Sequence, residues 1–286
     1  MPTVNSNGIK IYYESHGQGF PLIWAHEFAG DYRSWEPQVR FFSRRYKVIT
    51  YNARGYPPTE VPDDESLYSQ DNAIEDLRGL MKALNIEVAH IGGLSMGGAL
   101  TLNFGIRYPE MAKSLIVAAA GTGSTDPEGF KKNVLNRALN LETHGMESMK
   151  DYAEGPARIQ FKRKDPNGWQ EFSDHLMSHS SVGSAMTFRG VQSPRPPIYS
   201  LEEGMKSLKI PTLIMFGDED EPCIDPGIFM KRSIPSSGLV VFPQSGHAIN
   251  LEEPDLFNRA VQDFLAMVEN DAWAIRSSGS ETGSLL

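Results

Sequence analysis

One seven-residue stretch limits this chain more than any other feature: Gly92-Gly93-Leu94-Ser95-Met96-Gly97-Gly98. It follows the apolar run Val88 to Ile91 and precedes Ala99-Leu100-Thr101-Leu102, which reads as the start of a helix. A buried strand, a turn of the G-x-S-x-G type and a helix together describe a sharp corner that projects a serine hydroxyl from the end of a sheet. The glycines follow from the geometry, because the turn is too tight for side chains at Gly93 and Gly97. The serine itself must take a strained backbone conformation. The helix N-terminus then aims the Met96 N–H at a place where negative charge can develop. A bare G-x-S-x-G also arises as a simple glycine-rich turn, so the flanking strand and helix carry the inference.

The rest of the chain supplies the sheet that such a corner needs. Pro21 to Ala25, Tyr46 to Tyr51, Val88 to Gly92, Ser114 to Ala120, Thr212 to Phe216 and Leu239 to Phe242 read as buried strands. Asn7-Gly8 before Ile9 to Tyr13 predicts an antiparallel hairpin at the start. Apolar residues recur at helical spacing at Ile74, Leu77, Leu80, Met81 and Leu84, and again at Phe257, Val261, Phe264, Leu265 and Val268 after Pro254. Strand runs alternating with helices predict an α/β fold with a mostly parallel sheet covered on both faces. The alternation breaks between about Thr122 and Leu208, a stretch rich in charge, Met and helix formers. The expected organisation is therefore a first core part over 1–121, a helical cap over 122–208, a second core part over 209–270 and a flexible tail over 271–286, small and polar from Ser277 to Ser284.

Composition excludes several classes of function. The chain has 286 residues, enough for a buried core, with 40% hydrophobic and 22% charged residues, too apolar for disorder. Its net charge of -9 would repel a phosphate backbone, so nucleic acid is not an expected partner. The single cysteine, Cys223, can form no intrachain disulfide and no cysteine cluster for zinc. No run approaches the ~20 apolar residues of a membrane span. The N-terminus does not read as a secretory signal, so a cytoplasmic location is expected. The expected partner is a small-molecule substrate, with no membrane and no nucleic acid; a homodimer is left open.

A serine hydroxyl needs a base. Of seven histidines, His247 in Phe242-Pro243-Gln244-Ser245-Gly246-His247 follows the last strand and precedes a helix, the kind of loop where open α/β sheets gather their functional residues. His16, His90, His144, His175 and His179 have no such setting. The third group is an acid that orients the imidazole. Leu213-Ile214-Met215-Phe216-Gly217-Asp218-Glu219-Asp220-Glu221-Pro222 offers four consecutive carboxylates after a late strand, and spacing alone does not choose among them. The order Ser, acid, His along the chain is the order known from one sheet fold that carries G-x-S-x-G.

On these residues the chain resembles the α/β-hydrolase superfamily from about Ile9 to Val268, in the branch of capped bacterial esterases, enol-lactonases, cofactor-free haloperoxidases and carbon–carbon bond hydrolases. The resemblance implies an eight-stranded, mostly parallel sheet flanked by helices, with the helical cap where the alternation breaks. It implies Ser95 as nucleophile, His247 as base and, through Gly217-Asp218-Glu219-Asp220, Asp220 as the acid. It further implies a backbone N–H from Phe28, in Ala25-His26-Glu27-Phe28, as the partner of Met96 in an oxyanion hole. Two departures stand out. Glu27 occupies the family's glycine position, and a carboxylate there must point away from the hole or be paired. Asn52-Ala53-Arg54-Gly55-Tyr56-Pro57-Pro58-Thr59 keeps only Arg-Gly of the family's turn, and a scaffold role is expected for it. His26 is expected to hold its loop. His26-Glu27 begins H-E-x-x-H, but Gly30 stands where the second histidine would be.

The expected activity is therefore cleavage of a carboxylic ester or lactone through an acyl-enzyme, with no metal and no cofactor. Trp169, Phe172, Met177, Met186 and Phe188 are candidates for an apolar or aromatic substrate pocket, each weighed against simple packing of the cap. Arg189 is a candidate for a substrate carboxylate, weighed against a surface arginine. Two alternatives remain at this stage: carbon–carbon cleavage of a ring-fission product by the same three residues, and a ligand-binding receptor with vestigial hydrolysis.

Overall fold

A computed structural model describes residues 2–276. Eight strands form one sheet in the order β1-β2-β4-β3-β5-β6-β7-β8. They are β1 (Thr3–Ser6), β2 (Ile9–His16), β3 (Phe20–Ala25), β4 (Tyr46–Tyr51), β5 (Ala89–Leu94), β6 (Ala112–Ala118), β7 (Thr212–Gly217) and β8 (Ser237–Phe242). β1 and β2 are the expected hairpin, turning at Asn7 and Gly8 with φ of 45° and 81°. β2 pairs antiparallel with β4, and from β3 to β8 every pairing is parallel. The parallel strands are near-continuous apolar runs because helices cover both faces. On one face α2 (Gln70–Ala83) and α3 (Met96–Arg107) join α10 (Glu221–Ser233). On the other lie α1 (Glu36–Phe42) and α12 (Pro254–Glu269). Trp24 stacks on Trp35 there with ring centres 4.5 Å apart.

Between β6 and β7 the chain makes no strand. It forms α4 (Pro127–His144), α5 (Lys150–Ala153), α6 (Ile159–Lys164), α7 (Pro166–Met177), α8 (Ser181–Met186) and α9 (Glu202–Ser207), with 3-10 turns and one π-helical stretch, Thr187–Gln192. This helical insertion has its own apolar centre of Val134, Leu141, Phe161, Phe172 and Leu176, which reaches Phe28 and Ala29 of the core. A last short helix, α11 (Ile249–Glu252), precedes α12.

The expected loose tail from 271 begins too early. The Trp273 ring packs edge-on to Phe264 at 4.7 Å and its Nε1–H donates to the Ser236 carbonyl at 2.6 Å. Arg276 donates to the Lys231 and Ile234 carbonyls. A half-buried indole with its N–H satisfied, and these arginine bonds, hold the chain to the body as far as Arg276. Residues 277–286 of that expectation lie outside the described residues. Among the described residues no helix is long and apolar enough to cross a membrane.

Candidate active site

Ser95 sits between β5 and α3 with φ 56° and ψ -109°, a conformation that L-residues rarely hold. Every neighbour from Ala89 to Leu102 is buried, and Ser95 alone is partly exposed. Its N–H donates to the Ala118 carbonyl at 2.8 Å, locking the corner to β6. A Cβ on Gly93 would run into the Gly97 carbonyl, and one on Gly97 into the Ala25 carbonyl. Those two close approaches are why the motif carries its glycines. Met96 is the first residue of α3, so its N–H has no carbonyl one turn back to satisfy it.

Ser95, Phe28, Asp220 and His247 line one cavity of about 250 Å³. A larger groove of about 700 Å³ runs over the outer surface past Arg33 and Phe172, but it touches neither Ser95 nor His247. The His247 Nδ1 and Asp220 Oδ2 are 2.7 Å apart, both side chains buried. Of the four carboxylates after β7, only Asp220 is turned inward. Asp218 accepts from the Ser245 N–H, Glu219 holds the Gln160 amide, and Asp218, Glu219 and Glu221 are exposed. Burial pushes the Asp220 carboxyl up, but His247, with the Cys223 thiol and Arg158 behind it, brings it below its ordinary value. The sulfur of Cys223, the Asp220 carboxylate and a His247 nitrogen lie within 4.8 Å of one another. Burial raises the Cys223 thiol well above its usual range, and its S–H donates to the Ala119 carbonyl at 3.2 Å. It is therefore a protonated thiol beside the Asp220 carboxylate.

The loop after β3 places Phe28 on the same cavity wall as Ser95. The Tyr56 hydroxyl donates to the Phe28 carbonyl at 2.9 Å, and the Phe28 ring stacks on Phe188 at 3.8 Å. His26 accepts the Ala53 N–H at Nε2 (3.0 Å) and donates from Nδ1 to the Glu27 carbonyl (2.6 Å). Burial lowers its pKa to about 4, so it is a neutral structural imidazole. Arg54 forms a buried pair with Asp76, Nη2 to Oδ1 at 2.8 Å, which fits the scaffold role.

Glu27 is fully buried and paired with Arg158 of the insertion, Nη1 to Oε1 at 3.0 Å and Nη2 to Oε2 in addition. The preceding residue, Ala157, accepts the His247 N–H on its carbonyl at 2.9 Å. One 3-10 turn, Pro156–Arg158, thus holds both the histidine loop and the Phe28 loop. Sequence reasoning missed Arg158. Its signal was Glu27, which demanded a cation, but Lys150, Arg158, Lys162, Arg163 and Lys164 were equal candidates.

Of the expected pocket residues, only Phe188 lines the cavity. Trp169 and Phe172 pack inside the insertion, where the Trp169 Nε1–H donates to the Ala153 carbonyl. Met177 sits half-buried at the end of α7, and Met186 packs with Tyr56, Tyr68, Met96 and Val191 behind the site. Arg189 faces outward in a two-bonded pair with Glu142, at 2.7 and 2.8 Å. The amphipathic helices bury their largest side chains against one another, which is why these residues are not on the cavity wall. The wall is instead built by Phe130, Val134, Arg137, Tyr152, Gln192 and Arg195.

Residues 21–254 match the family model described as "alpha/beta hydrolase fold", and the chain belongs to that family. The 3-oxoadipate enol-lactonase 1 of Acinetobacter baylyi is 28% identical over 252 residues, covering 87% of this chain and 89% of that protein. The 2-hydroxy-6-oxo-6-phenylhexa-2,4-dienoate hydrolase of Burkholderia cepacia is 28% identical over 292 residues, covering 92% and 95%. Among solved structures, a thermophilic esterase from Thermogutta terrifontis is similar with a TM-score of 0.84 at 25% identity, covering 94% of this chain and 99% of that one. The protein is thus a member of a hydrolase family.

Proposed function

We propose that this protein is a serine hydrolase that cleaves a carboxylic ester or lactone of a small apolar or aromatic substrate through an acyl-enzyme. The observation that carries this reading is the 2.7 Å contact of His247 Nδ1 with a buried Asp220, in the same cavity as a serine held at positive φ. Ser95 Oγ attacks the carbonyl carbon and passes its proton to His247 Nε2. Asp220 accepts the Nδ1–H and stabilises the imidazolium that results. The Phe28 and Met96 N–H groups receive the oxyanion, each contributing about 3 kcal/mol to the transition state. Collapse expels the alkoxide, which takes the proton from His247. Water then attacks the acyl-enzyme with His247 again as base. The helical insertion acts as the cap that roofs the cavity.

The dienoate hydrolase relative, as similar as the enol-lactonase, favours one second reading: carbon–carbon cleavage of a ring-fission product by the same residues. One panel separates the possibilities. Wild type and Ser95→Ala are assayed on p-nitrophenyl esters, lactones and ring-fission products. Turnover of esters or lactones that vanishes in Ser95→Ala is expected. Turnover of ring-fission products alone would select the second reading. Tight ligand binding without turnover of any member would select a receptor instead.

A further inference from the structure

The loop that carries His247 is tied at successive peptides, each by a different part of the molecule. It joins β8 to α11, and Gln244 enters it at φ 51°. The Ser245 N–H donates to the Asp218 carboxylate, just after β7, at 3.1 Å. The His247 N–H donates to the Ala157 carbonyl of the insertion at 2.9 Å. Between them, the Gly246 N–H meets both carboxylate oxygens of Glu252, at 3.1 and 3.0 Å. Gly246 has no room for a side chain, because a Cβ there would run into the Ala157 carbonyl. Its peptide is therefore clamped between the insertion and Glu252, one residue before the proposed base.

A carboxylate is a costly group for that task. The Glu252 side chain is 0% exposed, and burial pushes its carboxyl above the ordinary value against the pull of the Gly246 N–H and Lys164. A buried carboxylate is tolerated only where hydrogen bonds and a cation complete it. The cation comes from the insertion. Lys164, the last residue of α6, places its Nζ 3.2 Å from Glu252 Oε1 and 3.2 Å from Ser245 Oγ, and it reaches Glu253 Oε1 at 2.5 Å. The mechanism proposed above uses neither Glu252 nor Lys164, yet both converge on the stretch from which its base projects.

We infer that Glu252 is a positioning residue for His247: its bond to the Gly246 N–H fixes the peptide that carries the imidazole, and Lys164 makes that bond depend on the insertion. The inference rests on the hydrolase reading above and adds how its base is held. Asp220 sets the turn of the ring through Nδ1, but it does not set where the backbone under the ring lies. A general base must stand within hydrogen-bond reach of the proton it takes, and a misplacement of ~1 Å costs about 10²-fold in rate. The insertion thus holds the base at two points, through Ala157 on His247 and through Lys164 on Glu252.

The test compares kcat and KM on one p-nitrophenyl ester for wild type, Glu252→Leu, Glu252→Gln and Lys164→Met, at a temperature where circular dichroism shows each to be folded. Glu252→Leu is expected to lose kcat by ~10- to 100-fold with KM held within about threefold. Glu252→Gln keeps an oxygen for the Gly246 N–H and should stay within about fivefold of wild type. Lys164→Met should fall between Glu252→Leu and wild type. Unchanged kcat in Glu252→Leu, with stability alone reduced, would make Glu252 a structural residue only and overturn the inference. A Glu252→Gln variant as slow as Glu252→Leu, or a Lys164→Met variant as fast as wild type, would overturn it too. If Glu252→Leu does not fold, amide hydrogen exchange read by NMR in Lys164→Met decides. Exchange at Gly246 and His247 should quicken by ~10-fold or more while the β8 amides bonded to β7 exchange as in wild type. Unchanged exchange at both, or equal quickening throughout β8, overturns the inference. If wild type turns over no ester, the hydrolase reading fails instead, and the same exchange measurement decides the inference by itself.

Discussion

At the scale of single residues, the function proposed above rests on how one tight loop sorts four adjacent carboxylates. Asp220 N–H bonds back to the Gly217 carbonyl, which turns its side chain inward while Asp218 and Glu219 stay in solvent. Asp220→Asn should leave the fold intact and lower kcat by up to about 10⁴-fold, because an amide holds the imidazole in the wrong tautomer. Asp218→Asn removes only an exposed charge, since the amide oxygen still accepts the Ser245 N–H, and should change kcat by less than about tenfold. Steady-state assays on one ester, with circular dichroism as a folding control, decide between them; a collapse at Asp218 with normal turnover at Asp220 would reassign the acid. Ser95 should take up one equivalent of a fluorophosphonate, read by mass spectrometry of the digest, and label on any other serine would remove it as nucleophile. Ser95 and His247 could be picked out from local pattern, since one needs a corner and the other a loop at a strand end. The proposed acid could not, because which carboxylate turns inward is set by the path of a loop, and family resemblance had to supply it.

At the scale of elements, the turn Pro156–Arg158 is the joint between insertion and site. Arg158→Gln strands the buried Glu27 carboxylate next to the backbone proposed to receive the oxyanion. Removing one member of a buried pair typically costs about 3–5 kcal/mol. The single variant should therefore lose stability by that order in urea titrations and lose kcat more than KM. Replacing both partners, as Glu27→Gln with Arg158→Gln, should restore most of the stability and much of kcat. A double variant no better than Arg158→Gln would show that the guanidinium acts on something other than Glu27. Strand positions were readable because parallel strands buried on both faces appear as apolar runs; Tyr46–Tyr51 was placed to the residue. The insertion was readable as helical but not as a surface. Helical periodicity shows which side of α7 is apolar, but not whether that side meets a cavity or another helix. Trp169, which looked like a pocket residue, accordingly belongs to a core.

For the molecule as a whole, acid sensitivity follows from two buried histidines. His26 and His90 are each lowered to about 4, mainly by burial, against about 6.5 for an exposed imidazole. Between those values the unfolded chain binds a proton that the folded chain refuses, so stability present at neutral pH is lost as pH falls from about 6.5 toward 4. By pH 5 the loss from His26 alone is about 2 kcal/mol. Urea midpoints measured at pH 7.5 and 5.0 should differ accordingly, and an unchanged midpoint would mean these imidazoles are solvated. The order β4-β3-β5 in the sheet, by contrast, left no mark on local sequence, since crossovers are decided by long-range pairing. The Glu27–Arg158 pair also bears on how such a protein can be rebuilt. Its helical insertion is not an interchangeable module: a graft from a relative that lacks the arginine would silence the site unless position 27 reverted with it. Natural drift faces the same constraint, so in descendants of this chain the two positions should change together or not at all.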